Sequence, residues 1–242
     1  KADAGSLNIL SLGSGNDKLV VSIGANSHNS ISGNDGNDEI KLKGGRASSD
    51  EIIDGGAGSD TLIVEQSHDN ALTLTNLENI IFKNVAHGTN DLSNADGALD
   101  IVYEAGRNGM ETHFYLTGTP ESSDVSVINA NAETAGLGEF SLTYKELEPI
   151  DTINVNSKKG VGDFYTSKIS LVNVVFDKIV AMSDGDFRFD DATKVVITAD
   201  ETFSMRDFVG DLSEEKNKLS EISLVGQDSV SLENTVNENK LK

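Results

Sequence analysis

The sequence predicts an all-β fold, a right-handed parallel β-roll that continues into an irregular β-solenoid. Two observations predict it. Nine-residue units that place glycines and an Asp ahead of a large apolar residue follow one another along residues 12–63. Further along the chain, Val, Ile, Thr and Phe recur at every second position, which is typical of strands with one buried face.

Five nine-residue units make up the first region. The last of them, GGAGSDTLI at 55–63, fits the pattern G-G-x-G-x-D-x-U-x at every specified position, where U is a large apolar residue. The first and third units, LGSGNDKLV at 12–20 and GNDGNDEIK at 33–41, keep most of the pattern. The second and fourth, GANSHNSIS at 24–32 and GRASSDEII at 45–53, are degenerate. Well-preserved and degenerate units therefore alternate.

This alternation predicts a one-sided stack of loops. If each turn of the roll uses two units, alternate loops lie on the same side, and Asp17, Asp38 and Asp60 come into register. Extra residues interrupt the nine-residue period between these aspartates, and they lie around the degenerate units. The irregularity of the repeat is thus confined to the opposite side.

Stacked glycine-Asp loops supply the oxygen ligands that calcium prefers. Ca²⁺ takes about six to eight carboxylate or carbonyl oxygens, so we expect one ion between the loops of Asp17 and Asp38 and another between those of Asp38 and Asp60. Asn29 and Asp50, in the degenerate units, are expected to hold a weaker ion on the opposite edge. A single such loop would be an ordinary turn, but three copies in register predict calcium as the cofactor.

The three well-preserved units resemble the repeats-in-toxin (RTX) family, whose members leave bacteria by type I secretion and fold in external calcium. The resemblance implies that Asp17, Asp38 and Asp60 bind the ions. It implies further ligands among the loop glycines Gly13, Gly15, Gly33, Gly36, Gly56 and Gly58. Asn34 departs from the family pattern, which has glycine at the second position of the unit. The resemblance covers about a quarter of the chain and implies a secreted, extracellular or cell-surface location, but no particular activity.

A looser repeat begins after residue 70. Segments with an apolar or small residue, two mostly polar residues and then Ile or Val recur as LENIIF (77–82), LEPIDTI (147–153), FDKIVAM (176–182), ATKVVI (192–197) and LSEISL (219–224). We therefore divide the chain into a calcium-binding roll over 1–70 and a β-rich, solenoid-like region over 71–242. One short helix is predicted near 213–220, with Ser213 as its N-cap. A separate β-sandwich after Gln66 is the alternative for the second region.

The segments LENIIF and LEPIDTINVN resemble sequences found beside RTX repeats in bacterial surface-layer (S-layer) proteins and large RTX adhesins. This resemblance implies a calcium-dependent structural protein that associates with itself into a lattice on the cell surface. The alternative is a calcium-binding accessory module of a type I secreted RTX enzyme or adhesin. Lys1 in the first position indicates a partial or processed chain.

Composition narrows the possible functions. With 40 acidic and 19 basic residues the net charge is -21, which argues against binding nucleic acid or an anionic membrane surface. No apolar run approaches the roughly 20 residues that a transmembrane helix needs. Without cysteine the chain has no thiol nucleophile or thiolate metal site, and neither an H-E-x-x-H nor a G-x-S-x-G motif occurs. The sequence therefore predicts a protein that is not an enzyme.

Overall fold

The chain folds as a parallel β-solenoid. The computed structural model describes residues 7–23, 28–44, 51–65, 72–83, 89–104, 112–128, 137–156, 161–177, 186–199, 203–210, 219–226 and 230–236. Every strand pair in these ranges is parallel. The predicted all-β solenoid is confirmed, and the sandwich alternative is wrong because sandwich sheets are antiparallel.

The strands follow one another with short connections. In chain order they are β1 (Leu7–Ser11), β2 (Lys18–Ile23), β3 (His28–Ser32), β4 (Glu39–Gly44), β5 (Ile52–Asp54), β6 (Thr61–Val64), β7 (Thr73–Thr75), β8 (Asn79–Lys83), β9 (Thr89–Asp91), β10 (Asp100–Glu104), β11 (Thr112–Thr119), β12 (Asp124–Ile128), β13 (Leu137–Asn156), β14 (Val161–Asp177), β15 (Asp186–Phe189), β16 (Lys194–Ala199), β17 (Phe203–Gly210), β18 (Glu221–Gly226) and β19 (Val230–Val236).

Successive strands alternate between two faces. On the first face β1, β3, β5 and β7 pair in that order, and β9 and β11 continue it towards β13. On the second face β2, β4, β6, β8, β10 and β12 pair in order, again reaching β13. The long strands β13 and β14 run across both faces, beyond which β15, β17 and β19 extend one face and β16 and β18 the other. The pairs β5–β7 and β6–β8 join the roll to the region after residue 70 without a break in the pairing.

Alternate side chains of these strands build one continuous core between the faces. In β8, for example, Ile80 and Phe82 are fully buried while their neighbours are half-buried, as the period of two predicts. A single cluster of buried apolar residues extends from Val21 to Leu219. These buried side chains pack each turn against the next.

The number of residues per turn varies along the chain, and the core changes after the roll. Leu7 pairs with His28, 21 residues on, whereas Val125 pairs with Ile153, 28 residues on. Aliphatic residues fill the roll, whereas stacked rings lie in the core of later turns, with centroids 6.0, 4.9 and 5.5 Å apart along the series Phe114, Phe140, Phe164 and Phe187. These rings keep the core of the later turns close-packed.

The predicted helix is not found where the structure describes its neighbourhood. Phe208–Gly210 belong to β17, and Glu221 begins β18, while residues 211–218, including Ser213, lie outside the described ranges. Leu219 and Ser220, the described end of the predicted helix, are not helical. Among the residues that the structure describes, no helix is long and apolar enough to cross a membrane.

Candidate metal centre

One edge of the roll carries a ladder of acidic residues. The pairing of Lys18 with Glu39, and of Glu39 with Thr61, places the preceding residues Asp17, Asp38 and Asp60 one above another. The loops also bond to each other through their backbones, from Gly15 N to Asp35 O at 2.6 Å and from Gly36 N to Ala57 O at 2.8 Å. The structure therefore brings together the three aspartates that the sequence predicts to form a one-sided stack. We call this the aspartate edge: residues 12–17, 33–38, 55–60 and 76–78.

Carboxylates of the aspartate edge accept hydrogen bonds from the turn before. The Asp17 N–H donates to Asp38 Oδ1 at 2.8 Å, and the Asp38 N–H donates to Asp60 Oδ1 at 2.7 Å. The Asp60 N–H donates in the same way to Glu78 Oε2, also at 2.7 Å. Glu78 is therefore a fourth member of the ladder.

Sequence reasoning missed Glu78 because no glycine-Asp loop precedes it. One signal was present: Glu78 stands two residues before the buried Ile80, as Asp60 stands two residues before the buried Leu62. The connection is shorter than in the repeats, since Asp54 pairs with Thr75 and Thr61 pairs with Asn79. An acidic residue two positions before a core residue is thus the feature that the edge retains after the repeats end.

Two carboxylate oxygens of the edge are buried without a partner. Asp38 is 2% exposed and Asp60 is 0% exposed, and the Oδ2 atom of each accepts no hydrogen bond from any residue that the structure describes. A buried, unpaired carboxylate oxygen is costly unless a cation or proton satisfies it. Asp17 differs, since it is only half-buried and its Oδ2 accepts the Gly13 N–H at 3.1 Å. The unsatisfied charge is therefore at Asp38 and Asp60.

Each of these oxygens lies beside a backbone carbonyl of the following turn. A Cβ atom built on Gly33 would lie 2.4 Å from Asp38 Oδ2 and 2.1 Å from Gly55 O. A Cβ atom built on Gly55 would lie 2.7 Å from Asp60 Oδ2 and 2.1 Å from Asn76 O. Carboxylate and carbonyl oxygens are the ligands that Ca²⁺ takes, so both neighbourhoods offer suitable ligands for calcium.

Backbone oxygens are available as further ligands. Within the described ranges no group of three or more His, Cys, Asp or Glu side chains is arranged to hold a metal. The loops stack closely enough to supply carbonyls: a Cβ on Gly36 would lie 2.2 Å from Gly15 O, one on Gly58 would lie 1.9 Å from Gly36 O, and one on Gly56 would lie 2.0 Å from Asn34 O. Asn34 has a positive φ of 72°, so it adopts here the left-handed conformation for which the repeat pattern uses glycine.

The surroundings of Asp60 raise the pKa of its carboxyl group. Burial is the largest cause raising the pKa of its carboxyl group, and the carboxylates of Asp38, Glu78 and Asp54 raise it further, against the hydrogen bond from the Asp38 N–H. Both effects disfavour the bare carboxylate. A bound divalent cation removes both penalties without protonating the group.

The opposite edge is built differently from the prediction. The Asn8 Nδ2 group donates to Asn29 Oδ1 at 3.0 Å, and the Asn29 N–H donates to Glu51 Oε2 at 2.9 Å. Asn29 and Glu51 are buried, whereas Asp50 lies outside the described residues. The residue in register with Asn29 is therefore Glu51, one position later than the expected Asp50.

The cause is the register of β5. Ile31 pairs with Ile53, which is fully buried, while Ile52 is 46% exposed. The nine-residue pattern places Ile52 at the apolar position of the fourth unit, but the structure buries Ile53 instead. Since side chains of a strand alternate between faces, this shift of one residue also moves the acidic position from Asp50 to Glu51.

A buried polar pair lies further along the aspartate side of the solenoid. Val125 pairs with Ile153, which places Asp151 beside Ser123. The hydroxyl oxygen of Tyr144 lies 2.8 Å from Asp151 Oδ2 and 2.9 Å from Ser123 O. Burial is the largest cause raising the pKa of Asp151 to about 6, although hydrogen bonds from Tyr144 and from the backbone lower it.

This pair predicts a pH dependence of stability. The folded-state pKa of Asp151 lies above its ordinary value of 3.8, so its contribution is most favourable below that value and is lost as the pH rises through about 6. We expect wild type to gain about 1 kcal/mol in unfolding free energy, relative to Asp151→Asn, between pH 7.5 and pH 5. Denaturant unfolding of both chains at the two pH values measures it. An equal response of the two chains contradicts the assignment.

Comparison of the chain with protein-family models, with curated proteins and with solved structures finds no match in any of the three. The fold and the site together define a class of protein: a parallel β-solenoid whose first turns carry a stacked acidic edge.

Proposed function

We propose that this chain is a calcium-dependent structural protein of the bacterial cell surface, an S-layer subunit or a part of one. In this proposal external calcium binds the aspartate edge and triggers folding of the roll. The observation that carries the proposal is the pair of buried oxygens, Asp38 Oδ2 and Asp60 Oδ2, that lack a hydrogen-bond partner among the described residues. Each lies beside a carbonyl oxygen suited to the same ion.

The energetics support coupling of folding to the ion. Without a cation, the folded roll holds buried carboxylates that repel one another in a chain of net charge -21, and its glycine-rich loops lose much conformational entropy on folding. An ion that binds only the folded state adds about 2.7 kcal/mol per site at a hundredfold excess over its dissociation constant. Low calcium inside the cell then keeps the roll unfolded, and high calcium outside folds it.

The first turn of the roll supports association with a second copy. In the described part of the chain β1 pairs only with β3, and β2 only with β4. Ile9 on β1 is 76% exposed and Val20 on β2 is 59% exposed. Outer strands with exposed apolar side chains are a route to strand-to-strand assembly, as a surface lattice requires.

A calcium titration tests the proposal. We expect circular dichroism to show a cooperative gain of β structure as calcium is added to chelator-treated protein, with magnesium much less effective because it demands a tighter octahedral site. The double variant Asp38→Asn and Asp60→Asn is expected to need far more calcium for the same change. A spectrum of wild type that ignores calcium and chelator, with no bound metal, would rule the proposal out.

The calcium-folded protein also distinguishes the two expected roles. Ordered sheets in electron micrographs at high calcium support a lattice-forming subunit. Monomers that persist at high concentration contradict self-association and favour the alternative, a calcium-binding accessory module of a secreted enzyme or adhesin.

A further inference from the structure

The turn Asn76–Glu78 follows the last glycine-Asp loop and has none of the repeat pattern, yet it continues the aspartate edge. Gly55 N donates to Thr75 O at 2.9 Å, and Asn79 N donates to Asp60 O at 3.0 Å. The turn is thereby fastened at both ends to the loop of residues 55–60. Asn76 has a positive φ of 49°, and its Nδ2 group donates to Asp54 Oδ1 at 2.8 Å. The turn is therefore a defined part of the edge.

One ion between the loops of Asp38 and Asp60 leaves a charge unsatisfied. The oxygens that converge there are Asp38 Oδ2 and Gly55 O. Asp60 Oδ2 converges instead with Asn76 O, on the far side of the 55–60 loop, and Asp60 is fully buried. A second cation, placed one turn further along than the repeats predict, would satisfy this oxygen without protonating it.

We propose that Asp60 and the turn Asn76–Glu78 form a second calcium site, between the roll and the solenoid that follows it. Asp60 Oδ2 and Asn76 O supply two ligands. The exposed carboxylate of Glu78, already bonded through Oε2 to the Asp60 N–H, supplies the second negative charge, and water completes the coordination. Together the two carboxylates balance the charge of the ion.

The proposed site changes which part of the aspartate edge is shared between two ions. In the repeat-based prediction Asp38 is shared by two ions, whereas here the 55–60 loop is shared, with Gly55 O in one site and Asp60 Oδ2 in the other. Asp17 Oδ2 is already held by Gly13 N. The last ion then couples calcium binding in the roll to the strands β7 and β8 that begin the second region. The inference rests on the proposed function in taking the cation to be calcium.

Counting calcium ions in matched variants tests the second site. Glu78→Gln keeps an oxygen that can accept the Asp60 N–H but removes the charge. Glu39→Gln is the control, because it removes the same charge from a half-buried residue outside the proposed site, which pairs with Lys18 at 2.9 Å. Isothermal titration with calcium chloride and native mass spectrometry are the measurements.

We expect Glu78→Gln to weaken one of the calcium sites by about tenfold or more, since affinity follows the number of charged ligands. Glu39→Gln is expected to bind as wild type does. If Glu78→Gln also binds as wild type does, while wild type still folds with calcium, the second site is overturned and the proposed function stands. If wild type binds no calcium, both fail.

A wild-type crystal grown in calcium gives a test that needs no variant. Electron density for an ion in contact with both Asp60 Oδ2 and Asn76 O supports the site. Density for an ion at Asp38 Oδ2 with none at Asp60 Oδ2 overturns it, and leaves calcium binding by the repeats intact.

Discussion

Alanine at Gly33 is expected to destabilise the calcium-bound roll by about 3 kcal/mol or more, the upper range for an overpacked site. The added Cβ would lie 2.1 Å from Gly55 O and 2.4 Å from Asp38 Oδ2. Neither atom can move away easily, because the Gly55 N–H donates to Thr75 O and the Asp38 carboxylate accepts the Asp17 N–H at Oδ1. The substitution must therefore separate two turns at the point where the proposed ion binds.

Gly13 provides the control for this prediction. It lies in the first loop of the same edge, where a Cβ would meet only Asp17 Oδ2, at an ordinary contact distance of 3.7 Å. Gly13→Ala is expected to change the unfolding free energy by less than about 0.5 kcal/mol. Denaturant unfolding of both variants in saturating calcium measures the difference. Equal stability of the two would show that the turns do not approach as closely as described.

The second prediction concerns the fourth repeat unit. Ile53→Ala is expected to cost about 2–5 kcal/mol, because it opens a cavity in a fully buried part of the core. Ile52→Ala removes the same atoms from a side chain that is 46% exposed, and is expected to cost less than about 1 kcal/mol. Both residues lie in β5, so comparing the two variants separates the effect of burial from that of strand propensity.

The alternative register makes the opposite prediction. If the unit keeps the nine-residue spacing, Ile52 faces the core and its loss is the more damaging. Unfolding of the two variants, again in saturating calcium, decides between the registers. It also decides which acidic residue, Glu51 or Asp50, lies on the edge opposite the aspartates.

Much of the fold could be predicted because its signals are local. Alternation of apolar and polar residues identifies strands such as β12 and β14 without reference to any partner. The register of β5 shows where local signals end. Ile52 and Ile53 are both apolar, and only the pairing of Ile31 with Ile53 decides which of them is buried.

By itself the sequence determined the parallel solenoid and the alignment of Asp17, Asp38 and Asp60, because a repeat of nearly constant length brings equivalent residues into register wherever consecutive turns pair. Only the tertiary structure decided which carboxylate oxygens are left buried without a partner, that Glu51 replaces Asp50, and that Glu78 extends the ladder. These features depend on one-residue shifts in strand pairing and on the hydrogen bonds between turns. A shift of one residue exchanges the buried and the exposed side chains of a strand. The spacing of residues along the chain does not reveal such a shift.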